Sequence, residues 1–332
     1  MKECDLYESE GEKVRCNACA HRCSIAEGNV GICGVRKNVN GMLNNLVYER
    51  IAAMHIDPIE KKPLYHFLPG SQALSIGTVG CNFGCAFCQN ADISFPREKK
   101  EVTGDHVTVS QLVDAAENNG CASIAYTYNE PIIFIEMVVD AAKEAKRRGI
   151  RNVMVSNGFW TEESVEMLKD HIDAVNIDLK SMRDGYYREV CRARLQPVLD
   201  TIRWIHEAGI WMELTTLIVP GENDSIQELT DIAGFIADVD PHIPWHISRF
   251  FPMYQMDKKE PTPVVTLQKA AEIGRRAGLK YIYMGNIGDS VATFCPECGE
   301  KLIERDHREG RTLSMNVQKC ANCGNTIPGV YA

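Results

Sequence analysis

The sequence predicts an α/β protein built on repeated strand–helix units around a parallel sheet, with a small cysteine-rich module at each end. Three observations predict it. Six short apolar runs, at 74–79, 123–128, 153–156, 174–179, 211–219 and 246–250, alternate with helix-like stretches near 110–119, 132–148, 162–169, 195–208, 225–238 and 266–277, which is the order of βα units. The 332 residues are 45% apolar, enough for one large core and an appendage. Ten of the fourteen cysteines fall in tight C-x2-C or C-x3-C groupings, which fit metal sites in a reducing compartment better than disulfides.

Residues 1–73 read as a cysteine-rich N-terminal segment. Cys16-Asn-Ala-Cys19-Ala-His-Arg-Cys23 and Cys33 form a four-thiol set, with Gly28, Gly31 and Gly34 in its flexible return. Metal binding is expected, and the spacing admits zinc and a second iron–sulfur cluster equally. The run Asp57-Pro-Ile-Glu-Lys-Lys-Pro-Leu-Tyr-His-Phe-Leu-Pro-Gly70 favours loops and short strands. Cys4, Cys121 and Cys191 have no partner at ligand spacing, and Cys121 opens a strand as a core residue.

Residues 74–291 carry the alternating core. Six strands suit an open barrel better than a closed one of eight, although alternation alone does not separate an open barrel from a doubly wound sheet, and Tyr281–Gly285 offers a seventh strand. The first strand runs into Cys81-Asn-Phe-Gly-Cys85-Ala-Phe-Cys88, three thiols at C-x3-C-x2-C spacing. A four-iron cluster normally takes four thiolates, so three leave one iron free to bind a second molecule. A zinc knuckle would pair C-x2-C units, and no fourth ligand stands at matching spacing. In parallel βα folds chemistry gathers at strand C-termini. Here those ends carry Asn129-Glu130-Pro131, Ser156-Asn157-Gly158, Asp178-Leu179-Lys180 and, on the sixth strand, His246.

Residues 292–332 hold Cys295-Pro-Glu-Cys298 and Cys320-Ala-Asn-Cys323, the two knuckles of a zinc-ribbon-like module. Four thiolates close a tetrahedral site, so the metal there is structural. Its spacer interleaves Lys301, Arg305, Arg308 and Arg311 with Glu304, Asp306 and Glu309, a weak patch for nucleic acid. The net charge of −9 also argues against broad attraction to nucleic acid or anionic membrane. The basic run at 143–148 reads as a solvated helix face. No apolar run reaches the roughly 18 residues of a membrane helix, and the first residues lack the regions of a secretory signal, so cytoplasmic residence is expected.

The cluster loop, with Gln89-Asn90 behind it, resembles that of the radical S-adenosylmethionine (radical-SAM) enzymes. That resemblance implies a partial (β/α)6 barrel, a [4Fe–4S] cluster on Cys81, Cys85 and Cys88, and S-adenosylmethionine (SAM) bound at the open iron. It also implies reductive cleavage of SAM to a 5′-deoxyadenosyl radical that abstracts hydrogen from a small molecule or protein residue. The electron would come from a donor such as ferredoxin or flavodoxin. Asn129-Glu130-Pro131 stands in the place of the superfamily's Gly-Gly-Glu-Pro element, which receives the SAM ammonium. Ser156, Asn157, Asp178 and Lys180 resemble residues that surround SAM in glycyl-radical activating enzymes such as pyruvate formate-lyase activase. The order of motifs along the chain is similar to that of AmmeMemoRadiSam-system enzymes, which implies a Memo-type protein partner. Glycyl-radical activation is one alternative reading. An iron–sulfur and zinc scaffold that binds a partner without turnover is the other.

Overall fold

The computed structural model describes residues 1–95, 102–288, 290–306 and 309–331. Its centre is an eight-stranded sheet whose spatial order follows the chain: β1 (Ala53–Pro58), β2 (Gln72–Gly77), β3 (Ser123–Tyr126), β4 (Arg151–Ser156), β5 (Ala174–Asp178), β6 (Trp211–Ile218), β7 (Trp245–Arg249) and β8 (Ile282–Gly285). Strands β2 to β8 are parallel, and β1 pairs antiparallel with β2. The two edge strands do not pair with each other, so the barrel is open. Tyr281–Gly285 does supply the seventh parallel strand, and residues 53–58 of the N-terminal segment supply the antiparallel edge.

The helices follow the apolar periodicity. They are α1 (Val109–Asn118), α2 (Ile135–Arg147), α3 (Glu162–Leu168), α4 (Gln196–Glu207), α5 (Ile226–Val239) and α6 (Val264–Arg276). Thr108 and Gln111 form a capping box that starts α1, and the Ser225 hydroxyl caps α5. The strand predicted at 123–128 ends two residues early. Tyr128 takes φ +69°, outside extended backbone, and this turn carries Asn129 and Glu130 over the sheet edge. Among the described residues no helix is long and apolar enough to cross a membrane.

The run at 57–70 closes the lower end of the barrel. Ile59, Leu64 and Phe67 pack on Ala73, Ala125, Val153 and Ala174 near the starts of β2 to β5; three of those four are alanine, which leaves room for the inserted chain. The buried Glu213 carboxylate on β6 accepts the backbone N–H groups of Tyr65 (2.9 Å) and His66 (2.7 Å), so this irregular segment meets its hydrogen-bonding needs inside the protein.

The N-terminal module is two three-stranded antiparallel sheets, one of Tyr7–Glu10, Lys13–Cys16 and Ser24–Ala26, the other of Lys2–Glu3, Arg36–Val39 and Met42–Asn45. Asn40-Gly41, both at positive φ, makes the two-residue hairpin of the second. Buried Arg36 joins this module to α2 through a two-pronged ion pair with Glu136 (2.6 and 3.3 Å). The C-terminal module packs Leu302, Ile303 and Ile327 against Tyr65, Tyr281 and Tyr283. Arg305, part of the weakly basic spacer, is buried with its guanidinium 4.3 Å from the Tyr65 ring centre. It is an anchor and offers no charge to a nucleic acid. Arg308 lies outside the described residues.

Candidate active site

Every polar strand end singled out in the sequence reaches one cleft of about 740 Å³, together with the three cysteines of the loop after β2. Cys81, Cys85, Cys88, Asn129, Glu130, Ser156, Asn157, Asp178, Lys180 and His246 all line it. The parallel register explains this, because each βα unit delivers its C-terminal loop to the same face.

Gly80, immediately before Cys81, has φ +99°, and a Cβ there would stand 2.8 Å from the Cys33 carbonyl oxygen. Glycine is thus required both by the backbone angle and by the close approach. Asn129 donates to Thr78 Oγ1 (3.0 Å) and the Gly80 carbonyl (2.7 Å), and its Oδ1 accepts from the Thr78 amide (3.2 Å). Its side chain holds the start of the cysteine loop. Asn157 likewise donates to Asn82 Oδ1 (2.7 Å), tying the loop after β4 to the cysteine loop. Phe83 and Phe87 are buried and line the cleft beside the thiols, Phe83 edge-on to Phe159 at 5.3 Å.

Glu130 is the hub of this side. One carboxylate oxygen accepts from the Ile132 amide (3.0 Å) and the Ser156 hydroxyl (2.8 Å), the other from the Asn157 amide (2.8 Å). Trp160 Nε1 in turn donates to Ser156 Oγ (2.8 Å). Burial nonetheless pushes the Glu130 pKa up to about 7 from an ordinary 4.5, against the pull of these donors. A raised carboxyl pKa holds a proton in the fold that the unfolded chain has lost. The resulting stabilisation is full below about pH 4.5 and disappears as pH rises through about 7. Glu130→Gln should remove that slope from stability-against-pH curves. Near pH 5 it should also cost about 1–3 kcal/mol, because the amide NH2 must face a buried donor, and that cost should shrink as pH rises through about 7. Denaturant unfolding across pH 5–8 checks both, and an unchanged slope would contradict the assignment.

In the same cleft, Lys180 donates to Asp178 Oδ2 (2.7 Å) and stands 5.7 Å from the Phe87 ring centre. Burial opposes its charge, but the Asp178 carboxylate and the Cys85 and Cys191 thiols outweigh it and hold the ammonium above its usual range. His246 Nε2 is bonded to Glu213 (2.6 Å) and lies edge-on to Tyr65.

Two sets of residues in this region are invisible to motif spacing. Cys191, without a partner at ligand spacing, comes beside Cys85 because Gly84 and Ala86 donate to the Cys191 and Val190 carbonyls (2.8 and 3.0 Å). A hydrogen bond from Cys191, with the Lys180 ammonium, holds the Cys85 thiol below its usual range despite burial. Burial pushes Cys81 and Cys88 upward, so metal binding there would release protons. The other set is Asp57, Lys61, Lys62 and Tyr128, which also line the cleft. Asp57 takes Lys61 (3.0 Å), Lys62 (2.8 Å) and the Tyr128 hydroxyl (3.0 Å). Only the acid four and five residues before two lysines signalled it, in a run that otherwise read as loop.

Comparison with known proteins agrees with this arrangement. The description "Radical SAM superfamily" matches residues 75–233, the stretch that contains the cysteine loop and the strand ends from β2 to β6. The chain belongs to the radical-SAM superfamily. An uncharacterized protein of Methanocaldococcus jannaschii is 40% identical over 98% of this chain and 99% of its own length. The pyruvate formate-lyase 1-activating enzyme of Escherichia coli is 23% identical over 61% of this chain and 89% of that enzyme. Among solved structures, a radical SAM methyltransferase from Sphaerobacter thermophilus covers 67% of this chain and 68% of its own at a TM-score of 0.52 and 15% identity, a likeness of fold.

Membership of the radical-SAM superfamily implies an enzyme that generates radicals from SAM with an iron–sulfur cluster and a reductant. The residues present fit those groups. Three thiols share one wall of a cleft large enough for a nucleoside-sized ligand, and acidic, basic and amide groups converge beside them. Outside the lining of this cleft, Cys295, Cys298, Cys320 and Cys323 bring their sulfurs within 4.8 Å of one another. The pairs Cys295–Cys323 and Cys298–Cys320 are each 3.6 Å apart. A tetrahedral ion with metal–sulfur bonds of about 2.3 Å sets its thiolates about 3.8 Å apart, so this quartet can hold a single metal ion.

Proposed function

We propose that this chain cleaves SAM reductively at a [4Fe–4S] cluster held by Cys81, Cys85 and Cys88 and abstracts hydrogen from a small molecule or a protein residue. The observation that carries the proposal is the convergence of the three-thiol loop and four polar strand ends in a single cleft. When bound, the cluster and SAM together supply a 5′-deoxyadenosyl radical after transfer of one electron. The protein orients and shields. Asn129 and Asn157 fix the cysteine loop, and Phe83 and Phe87 keep water from it. Lys180 meets the carboxylate of SAM, Asp178 and Ser156 meet the sugar hydroxyls, and Glu130 is the anionic group for its ammonium. His246, which lines the cleft from β7, is a cofactor or substrate contact. The C-terminal quartet takes zinc and holds its module in shape.

Similarity to pyruvate formate-lyase activating enzymes supports glycyl-radical activation as one form of the reaction, with a protein as substrate. The order of motifs supports a Memo-type partner, and a ferredoxin or flavodoxin suits the one-electron requirement. Anaerobic incubation with dithionite and SAM, followed by chromatography, should yield 5′-deoxyadenosine and methionine. No product from a fully cluster-loaded protein would favour a non-catalytic scaffold.

Lys180→Ala should weaken SAM binding by about 10- to 150-fold, the range of a charge-assisted hydrogen bond of about 1.5–3 kcal/mol. Anaerobic titration at matched iron content reads this. Unaltered affinity would mean that Lys180 serves only its bond to Asp178.

A further inference from the structure

Cys16, Cys19, Cys23 and Cys33 line one cavity with Ala18, Ile25, Ile132, Ile133 and Arg36, immediately behind the cysteine loop of the cleft. We infer that this quartet holds an iron–sulfur cluster rather than zinc, and that the cluster is a one-electron carrier to the loop of Cys81, Cys85 and Cys88. The inference rests on the radical-SAM reading only for its destination; the identity of the metal group stands on the four thiols themselves.

Sulfur spacing separates the two quartets. A lone tetrahedral zinc requires its four sulfurs about 3.8 Å apart. The C-terminal quartet meets that requirement, and among the described residues it is the only group of three or more cysteine, histidine or acidic ligand atoms lying within 4.8 Å of one another. No three of the N-terminal thiols are so close, although all four share a cavity. Thiolates spread in this way when each binds a different metal atom, as around an iron–sulfur cube. The Cys81, Cys85 and Cys88 sulfurs are spread likewise.

A second observation points to an anionic, sulfur-rich occupant. Arg36 lines the cavity at 2% exposure, and its two terminal nitrogens serve Glu136 and the Ile133 carbonyl. Its Nε–H is buried with no hydrogen-bond partner. A buried orphan donor is costly, and sulfides or thiolates beside it would accept that hydrogen. Single zinc ions do not change oxidation state, whereas hydrogen bonds to cluster sulfurs tune potential.

Placement gives the role. Cys33 packs its carbonyl against Gly80, the residue before Cys81, and His21 bonds the Asn82 carbonyl within the loop at 2.8 Å. Ligands of one site are thus chain neighbours of residues touching the other. A ferredoxin-class protein would reduce the outer cluster by one electron, and the outer cluster would return to its oxidised state on passing that electron inward. No bond or proton changes hands.

The test is metal and sulfide analysis of anaerobically reconstituted full-length protein. The wild type should contain about eight irons and eight sulfides, two four-iron clusters, with about one zinc. The Cys81→Ala/Cys85→Ala/Cys88→Ala variant should keep about four irons and show a reduced-cluster signal in electron paramagnetic resonance. Iron retained there reports the N-terminal site whether or not the protein cleaves SAM. Loss of all iron from that variant, or two zincs in the wild type, would overturn the assignment. For the relay, Cys16→Ser/Cys33→Ser should lose more of the cleavage driven by reduced ferredoxin than of that driven by dithionite; equal losses would overturn the relay alone.

Discussion

Cys85→Ala should reduce SAM cleavage to background, a loss on the order of 10³-fold or more given the accelerations that enzymes supply. Cys85 is the central thiol of the loop and the one whose pKa is held down, by the Cys191 hydrogen bond and the Lys180 ammonium. Its removal takes away the group best prepared to bind metal as thiolate. The effect should be local. The C-terminal quartet belongs to a separate module, so its metal should stay at wild-type content while iron from the cleft is lost. Anaerobic metal analysis and quantitation of 5′-deoxyadenosine on the same preparation check both statements. Retained cleavage would defeat the assignment of the loop.

The largest effect on stability is expected from Glu136→Gln. The Arg36 and Glu136 side chains are 2% and 0% exposed. Glu136 also accepts from Asn45 Nδ2 at 2.9 Å. Neutralising the carboxylate leaves the Arg36 guanidinium buried without its counter-charge, a loss of about 3–5 kcal/mol. The variant should unfold at markedly lower denaturant, or show early loss of the N-terminal module, since this pair joins that module to α2. Substituting the exposed Glu272, paired with Arg276 on the surface of α6, should change stability far less, because solvent screens that pair. Anaerobic denaturation of both variants measures the contrast. Equal effects would mean that Arg36 finds another partner.

Much of the fold was legible because burial leaves periodic marks. All six predicted helices and the parallel strands lie within a few residues of their expected bounds, since strands covered on both faces read as continuous apolar runs. The cysteine loop was equally legible, because its ligands are adjacent in the chain. Less could be read where contacts join distant segments. Nothing about residues 53–58 distinguishes an edge strand of the main sheet from a short strand of a separate module. The run from Asp57 read as proline-rich loop, yet it plugs the barrel and sends Asp57 and Lys62 into the cleft.

The sequence by itself determined the βα order, the three-thiol loop, the four-thiol tail and the polar residues at each strand end. These are local patterns, set by chain spacing and by which faces must be apolar. Only the tertiary structure decided what those residues do with their hydrogen bonds. Asn129 and Asn157 hold the cysteine loop, Glu130 organises the turn after β4, and Arg305 is an anchor rather than part of a basic surface. Cys191 joins Cys85 from about a hundred residues away in the chain. The two four-cysteine sets are alike as lists of residues; that one brings its sulfurs within 4.8 Å of one another while the other lines a cavity without that closeness arises only when each chain segment has been placed by its own packing.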